Sequence, residues 1–318
     1  MRILITGGLG FIGSHLIERL SGHEMVIIDN KTTNVIDDAD CEVIVASIED
    51  TDLSKLGKFD RIYHLASFVG PAGILAYGGM IGPIMVENTN NLISLAVSNH
   101  ALLVDISSSE IYGHTQVLYE DSPKICQGRY EVRTEYSVGK LLSEIMISNS
   151  ARAGEFQYQI IRPFNIAGPR QKPDGGFVLP RFVVAALTNQ AITVFGNGTQ
   201  KRAFTDVRDI CDAIMMISES NFFNTAWNIG NPANEMSIND LAQLVVDQVG
   251  KGEIIHVDPK TIYGDLFAEV PDKIPVIDKV MSEIGWKPIR SLAFTLSDII
   301  RFYRMKIKDG YTFDMGVK

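Results

Sequence analysis

Two residues that could act together as an acid and a base, Tyr136 and Lys140, lie four positions apart in the segment YSVGK. On a helix this spacing is about one turn, so both side chains lie on one face, roughly 5–6 Å apart. A cation held beside a phenol stabilises the phenolate, and we therefore expect Lys140 to lower the pKa of Tyr136. Tyr and Lys occur at this spacing on many helices, so the pair alone is weak evidence for catalysis. The elements that position the pair supply the stronger evidence.

The start of the chain predicts a nucleotide-binding turn. The apolar segment MRILIT predicts a buried strand, which leads into the glycine-rich turn GGLGFIG and a helix from about Ser14 to Leu20. Glycines let the backbone approach a pyrophosphate, which the following helix N-terminus can hold. The next predicted strand, Met25 to Ile28, ends at Asp29, whose carboxylate can accept hydrogen bonds from the ribose hydroxyls. Asp29 would repel a 2′-phosphate, so the sequence predicts NAD rather than NADP.

Short apolar runs recur between helical stretches and predict an α/β fold with a Rossmann-type, doubly wound parallel sheet. The further strands are predicted at 43–45, 61–65, 102–106 and 158–161. Ligands in such sheets bind at the carboxyl ends of the strands, where HLAS, SSSE and RPFN occur. The Gly- and Pro-rich stretch 69–83 is predicted to be a loop over the site.

A smaller, mainly helical C-terminal substrate lobe is predicted after the sheet. The helical segments 180–187 and 239–249 dominate there. We predict that residues 1–167 form the NAD-binding domain and that 203–230 return to it. Residues 168–202 and 231–318 would then form the lobe that binds the substrate.

The composition favours a large enzyme core and disfavours several other classes of protein. The 318 residues are 46% hydrophobic and carry a net charge of −9, which argues against a nucleic-acid surface. The sequence has no run of eighteen apolar residues and begins on a core strand, so we predict a cytoplasmic protein without a membrane segment. Cys41, Cys126 and Cys211 cannot all pair and lack metal-ligand spacing, so neither disulfides nor a metal site is predicted.

Six motifs in this order resemble the extended short-chain dehydrogenase/reductase family of NAD-dependent nucleotide-sugar epimerases, dehydratases and decarboxylases. They are TGGLGFIG, Asp29, HLAS, SSSEIYG, YSVGK and RPFNIAGPRQ, and the resemblance extends from Ile3 to about Pro288. Within the family, segments 69–71, 167–171 and 176–181 look most like bacterial enzymes acting on UDP-glucose or UDP-glucuronate. The resemblance also implies a homodimer that pairs through the helix carrying Tyr136 and the helix near Asn88.

The resemblance assigns roles to the reacting groups. Tyr136 would take a proton from a sugar hydroxyl while the C4 hydride passes to NAD, and Lys140 would bind the nicotinamide ribose. Ser108 would hydrogen-bond the same sugar oxygen, although a Ser at a strand end can also cap a turn. His64 and Asn88 are expected only as cofactor-side or framework residues.

Further residues are expected against the two ligands. The positions expected to contact NAD are Gly7, Gly10, Phe11, Ile12, Gly13, Asp29, Asn30, Ile48, Leu65, Ala66, Tyr136 and Lys140. The segment 196–209 looks like the family's GDGxQxRDFxxVxD motif, in which the Arg, here Arg202, contacts the diphosphate of a nucleotide-diphosphate sugar. Asn165, Arg181 and Lys273 are the other expected substrate contacts.

Glu110 bears on the reaction type. Epimerases of the family commonly have a small neutral residue or Thr there, whereas dehydratases and decarboxylases have Glu. A carboxylate at this place could remove a C5 proton or orient a C5 carboxylate, or it could merely pair with Arg129 or Arg133. Glu110 thus slightly favours a decarboxylase or 4,6-dehydratase. The segment 176–181 resembles epimerases at least as much, so a UDP-sugar 4-epimerase is nearly as well supported.

Several positions depart from the family pattern and bear on the substrate. Ser47 and Ala203 each stand where an Asp is common, Ala167 replaces a common Tyr, and Lys273 occupies the place of an Arg. A dinucleotide-sensing regulator without catalysis is the rival class of function. The intact Ser108, Tyr136 and Lys140 disfavour it.

Overall fold

The computed structural model describes residues 1–126, 131–258, 261 and 272–313. Within them the main sheet has seven parallel strands in the order β11-β6-β5-β4-β1-β2-β3. The strands β1 to β13 are, in chain order, Arg2–Thr6, Glu24–Ile28, Glu42–Ile44, Arg61–His64, Leu102–Ile106, Gln157–Pro163, Ile166–Ala167, Ile192–Phe195, Lys201–Ala203, Thr205–Asp206, Thr225–Ile229, Glu235–Ser237 and Ile254–Val257. The predicted α/β class with a Rossmann-type sheet is confirmed.

Helices cover both faces of this sheet. The described helices α1 to α9 are Phe11–Arg19, Gly70–Ala76, Ile81–Asn99, Val132–Ala151, Val178–Leu187, Val207–Ser218, Ile238–Val249, Asp278–Glu283 and Leu292–Lys308. Helix α1 begins at Phe11, earlier than predicted, because the Ser14 amide donates to the Gly10 carbonyl at 2.8 Å and closes a first turn directly after the glycines. None of the described helices is long and apolar enough to cross a membrane. The cytoplasmic location stays a prediction.

The prediction that 69–83 is a loop was wrong. Residues 70–76 form α2, and α3 begins at Ile81. A proline is tolerated in the first turn of a helix, where its missing N–H would have had no partner, so Pro71 and Pro83 mark helix starts rather than breaks. Gly70 has φ +73, and a Cβ there would overlap the Gly175 carbonyl oxygen. The start of α2 therefore lies directly against the segment before α5.

The core shows why the strands are continuously apolar. Along β1, Ile5 joins the hydrophobic cluster on the face covered by α1 and α6, whereas Leu4 joins the cluster beneath α3 and α4. In β5, Val104 and Leu103 divide between the two faces in the same way. Because both faces of a parallel sheet are buried, alternation of polar and apolar residues is absent from these strands.

A separate apolar cluster lies in the C-terminal part of the chain. It is built from α5, α7, α9 and β8. This part also holds short two-stranded sheets that pair β8 with β13 and β9 with β12, so it is less purely helical than expected. Strand β11 returns to the main sheet beside β6, and α6 packs in the core beneath it. The division into an NAD-binding domain and a substrate lobe stays a prediction.

Substitution of a central core residue tests this packing. Ile5 is fully buried in β1, so we expect Ile5→Ala to lower the free energy of unfolding by about 2–5 kcal/mol through lost burial and a residual cavity. Val45, which is 60% exposed at the edge of the sheet, is the control. Val45→Ala should change the free energy of unfolding by less than about 0.5 kcal/mol. Urea denaturation measures both. Equal effects of the two substitutions would contradict the described core.

Candidate active site

A cleft of about 950 Å³ extends from the carboxyl ends of β1, β2, β4 and β5 to the C-terminal lobe. It is lined by the predicted site residues of both ligands. These are Gly7, Gly10, Phe11, Ile12, Gly13, Asp29, Asn30, Ile48, Leu65, Ala66, Ser108, Glu110, Tyr136, Lys140, Asn165, Arg181 and Arg202. Lys273 is the exception, since it is buried behind Glu110 and does not line the cleft.

The glycine-rich turn packs so closely against other backbone that two of its positions require glycine. Gly7 has φ +72, and a Cβ there would lie 2.7 Å from the Ala66 amide nitrogen, while a Cβ on Gly13 would overlap the Gly7 carbonyl oxygen. Helix α1 begins at this turn without a side-chain cap or an acidic residue in its first turn. Its amide groups therefore point toward the cleft with no competing carboxylate, as a pyrophosphate requires. The residues present fit a dinucleotide.

Asp29 closes β2 at the predicted position. Its carboxylate accepts hydrogen bonds from the backbone amides of Leu9 at 2.9 Å and Lys31 at 2.8 Å, which fixes its orientation at the cleft wall. Each carboxylate oxygen can accept more than one hydrogen bond, so this fixed group can still accept from a ribose. Asn30 donates to the Ser47 hydroxyl at 3.2 Å, and both residues line the cleft.

Tyr136 and Lys140 lie on α4 as predicted, but the expected effect of Lys140 on the tyrosine was wrong for the polypeptide by itself. Burial raises the pKa of Tyr136 to about 12, and a hydrogen bond with Ser108 acts against this. Burial lowers the pKa of Lys140, while Asp105 and Glu144 oppose that change. The Lys140 ammonium donates to the Ile106 carbonyl at 2.8 Å. Neighbouring carboxylates thus stabilise the positive charge of Lys140.

Ser108 follows β5 and serves two partners. Its hydroxyl accepts a hydrogen bond from the Glu110 amide at 3.1 Å and caps the 3-10 helix Ser109–Tyr112, so the capping interpretation is confirmed. The same side chain hydrogen-bonds Tyr136 and lines the cleft. The turn therefore holds Ser108 beside the tyrosine, where it can also reach a bound alcohol.

His64 belongs to the framework of the site. Its Nδ1 lies 2.8 Å from the Thr6 hydroxyl, and burial, with a smaller effect of Lys140, lowers its pKa to about 3. The imidazole is therefore neutral near pH 7 and joins β1 to β4. Asn88 lines the cleft on α3.

Glu110 is held between two cations. Arg133 binds its carboxylate through Nε at 2.9 Å and Nη2 at 3.0 Å, and the Lys273 ammonium lies 2.7 Å from the same group. Burial would raise the pKa of Glu110, but Lys273 and Arg133 outweigh it and hold that pKa well below its usual range. Burial lowers the pKa of Lys273 to about 8 against the attraction of Glu110. We call Glu110, Arg133 and Lys273 the glutamate cluster.

The lobe contributes cations and an amide to the cleft. Arg202 lies on β9 and donates to the Lys201 carbonyl at 2.6 Å, while the Arg181 guanidinium lies 4.7 Å from the ring centre of Phe195. Asn165 follows β6 with φ +34. Its side-chain amide donates to the carbonyls of Ala203 and Lys273 at 3.4 Å each. Asn165 therefore joins the sheet to the two lobe segments that carry Arg202 and Lys273.

Two residues with a large part in the site were underrated from the sequence. Arg133 was considered only as a possible partner of Glu110, although its place three residues before Tyr136 on the helix, one turn away, could have revealed its importance. Asp105 was missed altogether, and a carboxylate inside the apolar run LLVDI was the available signal. Arg129, the other partner considered for Glu110, lies outside the described residues. Among those that are described, no group of His, Cys, Asp and Glu is arranged to hold a metal ion.

The fold and the cleft together define a dinucleotide-binding enzyme of the Rossmann type, whose cleft is lined by Ser108, Tyr136 and Lys140. Residues 3–230 match the model of the NAD dependent epimerase/dehydratase family, and the chain belongs to this family. Its cofactor is accordingly NAD.

Named relatives extend over nearly the whole chain. It is 30% identical to UDP-N-acetyl-alpha-D-glucosaminuronate decarboxylase of Bacillus cytotoxicus, over 95% of this chain and 98% of that one. It is 31% identical to UDP-glucuronic acid decarboxylase 1 of Xenopus tropicalis, over 96% of this chain and 73% of that one. The structure of MoeE5 in complex with UDP-glucuronic acid and NAD superposes with a TM-score of 0.83 at 25% identity, covering 96% of this chain and all of the other.

The glutamate cluster predicts a pH-dependent stability. We expect Glu110→Gln to lower the free energy of unfolding at neutral pH by on the order of 2 kcal/mol, because it leaves Lys273 buried without its anion. Since the folded pKa of Glu110 is below its ordinary value of 4.5, this contribution is complete above that pH and disappears as the pH falls through the folded pKa. Denaturant titrations at several pH values measure the difference.

The matched control is Glu24→Gln. Glu24 pairs with Arg2 at 2.6 Å but its side chain is 68% exposed, so the loss should stay within about 1 kcal/mol. A difference between wild type and Glu110→Gln that does not shrink at acid pH would show that the ion pairs are not its source.

Proposed function

We propose that this protein is an NAD-dependent decarboxylase of a UDP-uronate, which oxidises the sugar at C4, releases the C5 carboxylate as carbon dioxide and then reduces the ketone with the same NADH. The observation that carries the proposal is the glutamate cluster. One carboxylate and two cations leave a net positive charge beside Ser108 and Tyr136. A sugar that bears its own carboxylate matches this charge better than a neutral hexose does.

Arg133 is the part of the cluster that can meet such a substrate. Its side chain is 41% exposed and lines the cleft, and it holds Glu110 through Nε and Nη2. A guanidinium has five N–H donors, so donors beyond these two can reach a second carboxylate. Glu110 then orients Arg133 rather than reacting itself.

The charge state of Glu110 separates the two lyase alternatives. A 4,6-dehydratase needs a base to remove the C5 proton, and a carboxylate whose pKa is held well below its usual range is a weak base. Decarboxylation needs no base at C5, because the departing carboxylate leaves its electron pair behind. The arrangement therefore favours the decarboxylase.

The residues of the centre divide the work as follows. Tyr136 accepts the proton of the C4 hydroxyl once the positive charges of Lys140 and of bound NAD have lowered its pKa from about 12. Ser108 orients that oxygen, and Lys140 lies at the cofactor side of the cleft and provides a positive charge there. NAD, when bound, supplies the acceptor and later the donor of the hydride. The C4 ketone takes up the electron pair as the C5–carboxylate bond breaks, and C5 then gains a proton. Overall, one proton is consumed and one carbon dioxide is released.

The relatives support both the reaction and the nucleotide. The two named above decarboxylate UDP-linked uronates, one with an N-acetyl group and one without. Arg202 and Arg181, both at the cleft wall, are the proposed partners of the UDP diphosphate, for which a guanidinium offers paired donors. Lys273 is not proposed as a direct substrate contact, since it is buried against Glu110.

A UDP-sugar 4-epimerase is the second candidate. The segment that favours it, residues 176–181, lines the cleft with Gly176, Phe177, Val178, Leu179 and Arg181. A wide cleft would let a keto sugar turn before it is reduced. The non-catalytic sensor is not supported, because Ser108, Tyr136 and Lys140 all face the same cleft.

The deciding experiment incubates purified protein with NAD and, separately, UDP-glucuronate, UDP-N-acetylglucosaminuronate and UDP-glucose. We expect one of the two uronates to lose carbon dioxide, seen by mass spectrometry and proton NMR, and UDP-glucose to remain unchanged. An inverted C4 configuration without loss of mass would establish the epimerase instead. No change in either uronate would sink the proposed function.

A Tyr136→Phe variant tests the chemistry within the same assay. It keeps the ring in its buried site but removes the hydroxyl, so kcat should fall by about 10²–10⁴-fold. Tyr119→Phe, on an exposed tyrosine outside the cleft, is the control with unchanged kcat. Turnover by Tyr136→Phe at the wild-type rate would exclude Tyr136 as the base.

We also propose a homodimer that pairs through α4. Val138, Leu142 and Ile145 are 40–46% exposed on one side of this helix, whereas Leu141 and Met146 pack against their own chain. Leu142→Asp should convert the dimer to a monomer in light scattering, because a charge would be buried in an apolar contact. Met216→Asp, at an equally exposed residue of α6, should leave the mass unchanged. A monomeric wild type would contradict the proposal.

A further inference from the structure

A buried carboxylate that the mechanism above does not use lies behind the reacting groups. Asp105 is the fourth residue of β5, and its side chain is 1% exposed. In the part of the chain that the structure describes, neither of its carboxylate oxygens has a hydrogen-bond partner. A buried group of this kind is costly, so its presence requires an explanation.

The strand register directs Asp105 toward α4. Val104 and Ile106 join the core cluster on the α1 and α6 face, and Leu103 joins the one beneath α3 and α4. Because side chains alternate along a strand, Asp105 shares the face of Leu103. Its in-register neighbours are His64 on β4 and Ile160 on β6.

Among the described residues, one pair of opposite charges on this face is in contact, and one anion and one cation remain without an ion pair. Glu144 on α4 is bound by Arg162 through Nε at 3.0 Å and Nη2 at 2.7 Å, and it also accepts from the Ser107 hydroxyl. That anion is therefore already matched by a cation. Lys140 is the second buried cation here, and its ammonium donates to a neutral group, the Ile106 carbonyl. Asp105 is the anion that remains to balance it.

We propose that Asp105 is a positioning residue that acts through Lys140, as the buried counter-charge that keeps the lysine ammonium charged and directed to the cofactor side of the cleft. Asp105 itself does not line the cleft and touches neither reactant. Its effect passes to the cofactor through the charge and placement of Lys140, and its own charge also adds to the raised pKa of Tyr136. The inference rests on the proposed function only in requiring a charged Lys140 at the cofactor.

The electrostatics of the face agree with this geometry. Burial raises the pKa of Asp105 to about 6, with Lys140 lowering it and Glu144 raising it. Burial lowers the pKa of Lys140, and Asp105 is the foremost of the groups that oppose the change. Each group thus stabilises the charged form of the other.

The other titratable and charged groups around Asp105 are accounted for on each element that packs there. His64 on β4 is neutral near pH 7, Arg162 on β6 is paired with Glu144, and Tyr136 on α4 has a raised pKa to which Asp105 contributes. The buried residues of α3 include no titratable side chain. Asp105, whose pKa burial raises to about 6, and Lys140, whose pKa burial lowers, are therefore the two groups on this face whose charges depend on each other.

Asp105→Asn tests the proposal, because it keeps the shape and removes the charge. Lys140 then loses its proton at a lower pH. In plots of NAD affinity and of kcat against pH, the decline on the alkaline side should therefore shift to lower pH by about one unit. Below about pH 6, where Asp105 of the wild type is itself protonated, the two proteins should converge. NAD affinity is measured by calorimetry on protein freed of cofactor, and kcat with the uronate that is turned over.

A merely structural role would not produce this pattern. Gln159→Leu, on the neighbouring strand β6, is the matched control, because it removes the hydrogen bonds that the buried Gln159 amide donates to the carbonyls of Ile217 and Phe222. It should lower the melting temperature without moving either pH profile. Asp105→Leu serves as a second charge-removing variant and should show the same shift as Asp105→Asn.

The outcomes separate the two proposals. Profiles of Asp105→Asn that superimpose on the wild type, or that fall equally at every pH, would overturn the role of Asp105. Calorimetry with NAD needs no sugar substrate, so a shifted NAD profile supports Asp105 even if no UDP-uronate is turned over. A lack of turnover of both UDP-uronates would count against the proposed reaction alone.

Discussion

The site depends on how α4 packs against the carboxyl ends of β5 and β6. This contact buries Lys140, Glu144 and Arg162 together with Asp105, and buried charges persist only where they are matched. Arg162 and Glu144 form a bidentate pair at the centre, which fixes the helix on the sheet. Tyr136 lies one turn before Lys140 on the same helix, so its position beside Ser108 follows from the pairing beneath it.

A second set of charges joins the sheet to the lobe. Glu110 comes from the turn after β5, Arg133 from the first turn of α4, and Lys273 from the lobe. Arg202 and Lys273 also form a backbone bridge. The region proposed to hold the sugar and the region proposed to hold the diphosphate are therefore mechanically connected. A displacement of one lobe segment would reach Glu110 directly.

Local pattern was enough to predict six of the seven strands of the sheet, the glycine turn, Asp29 and the Tyr136–Lys140 pair, because each depends on short-range spacing, whereas strand β11 was not predicted. Helix α2 was missed, since Gly and Pro together looked like a loop until their places in a first helical turn were known. The pairing of Glu110 with Lys273 joins residues far apart in the chain and could not be read from spacing. The raised pKa of Tyr136 likewise depends on burial, which only the folded chain defines.

The charge of the glutamate cluster has a consequence for release of the product. Under the proposed reaction, the group that its cations attract is the one that leaves as carbon dioxide. The sugar that remains would be neutral at C5, while its diphosphate would still face Arg202 and Arg181, which line the cleft. Substrate would therefore bind at both ends of the cleft and product at one. This asymmetry would let fresh substrate displace product, so that turnover could continue while product accumulates.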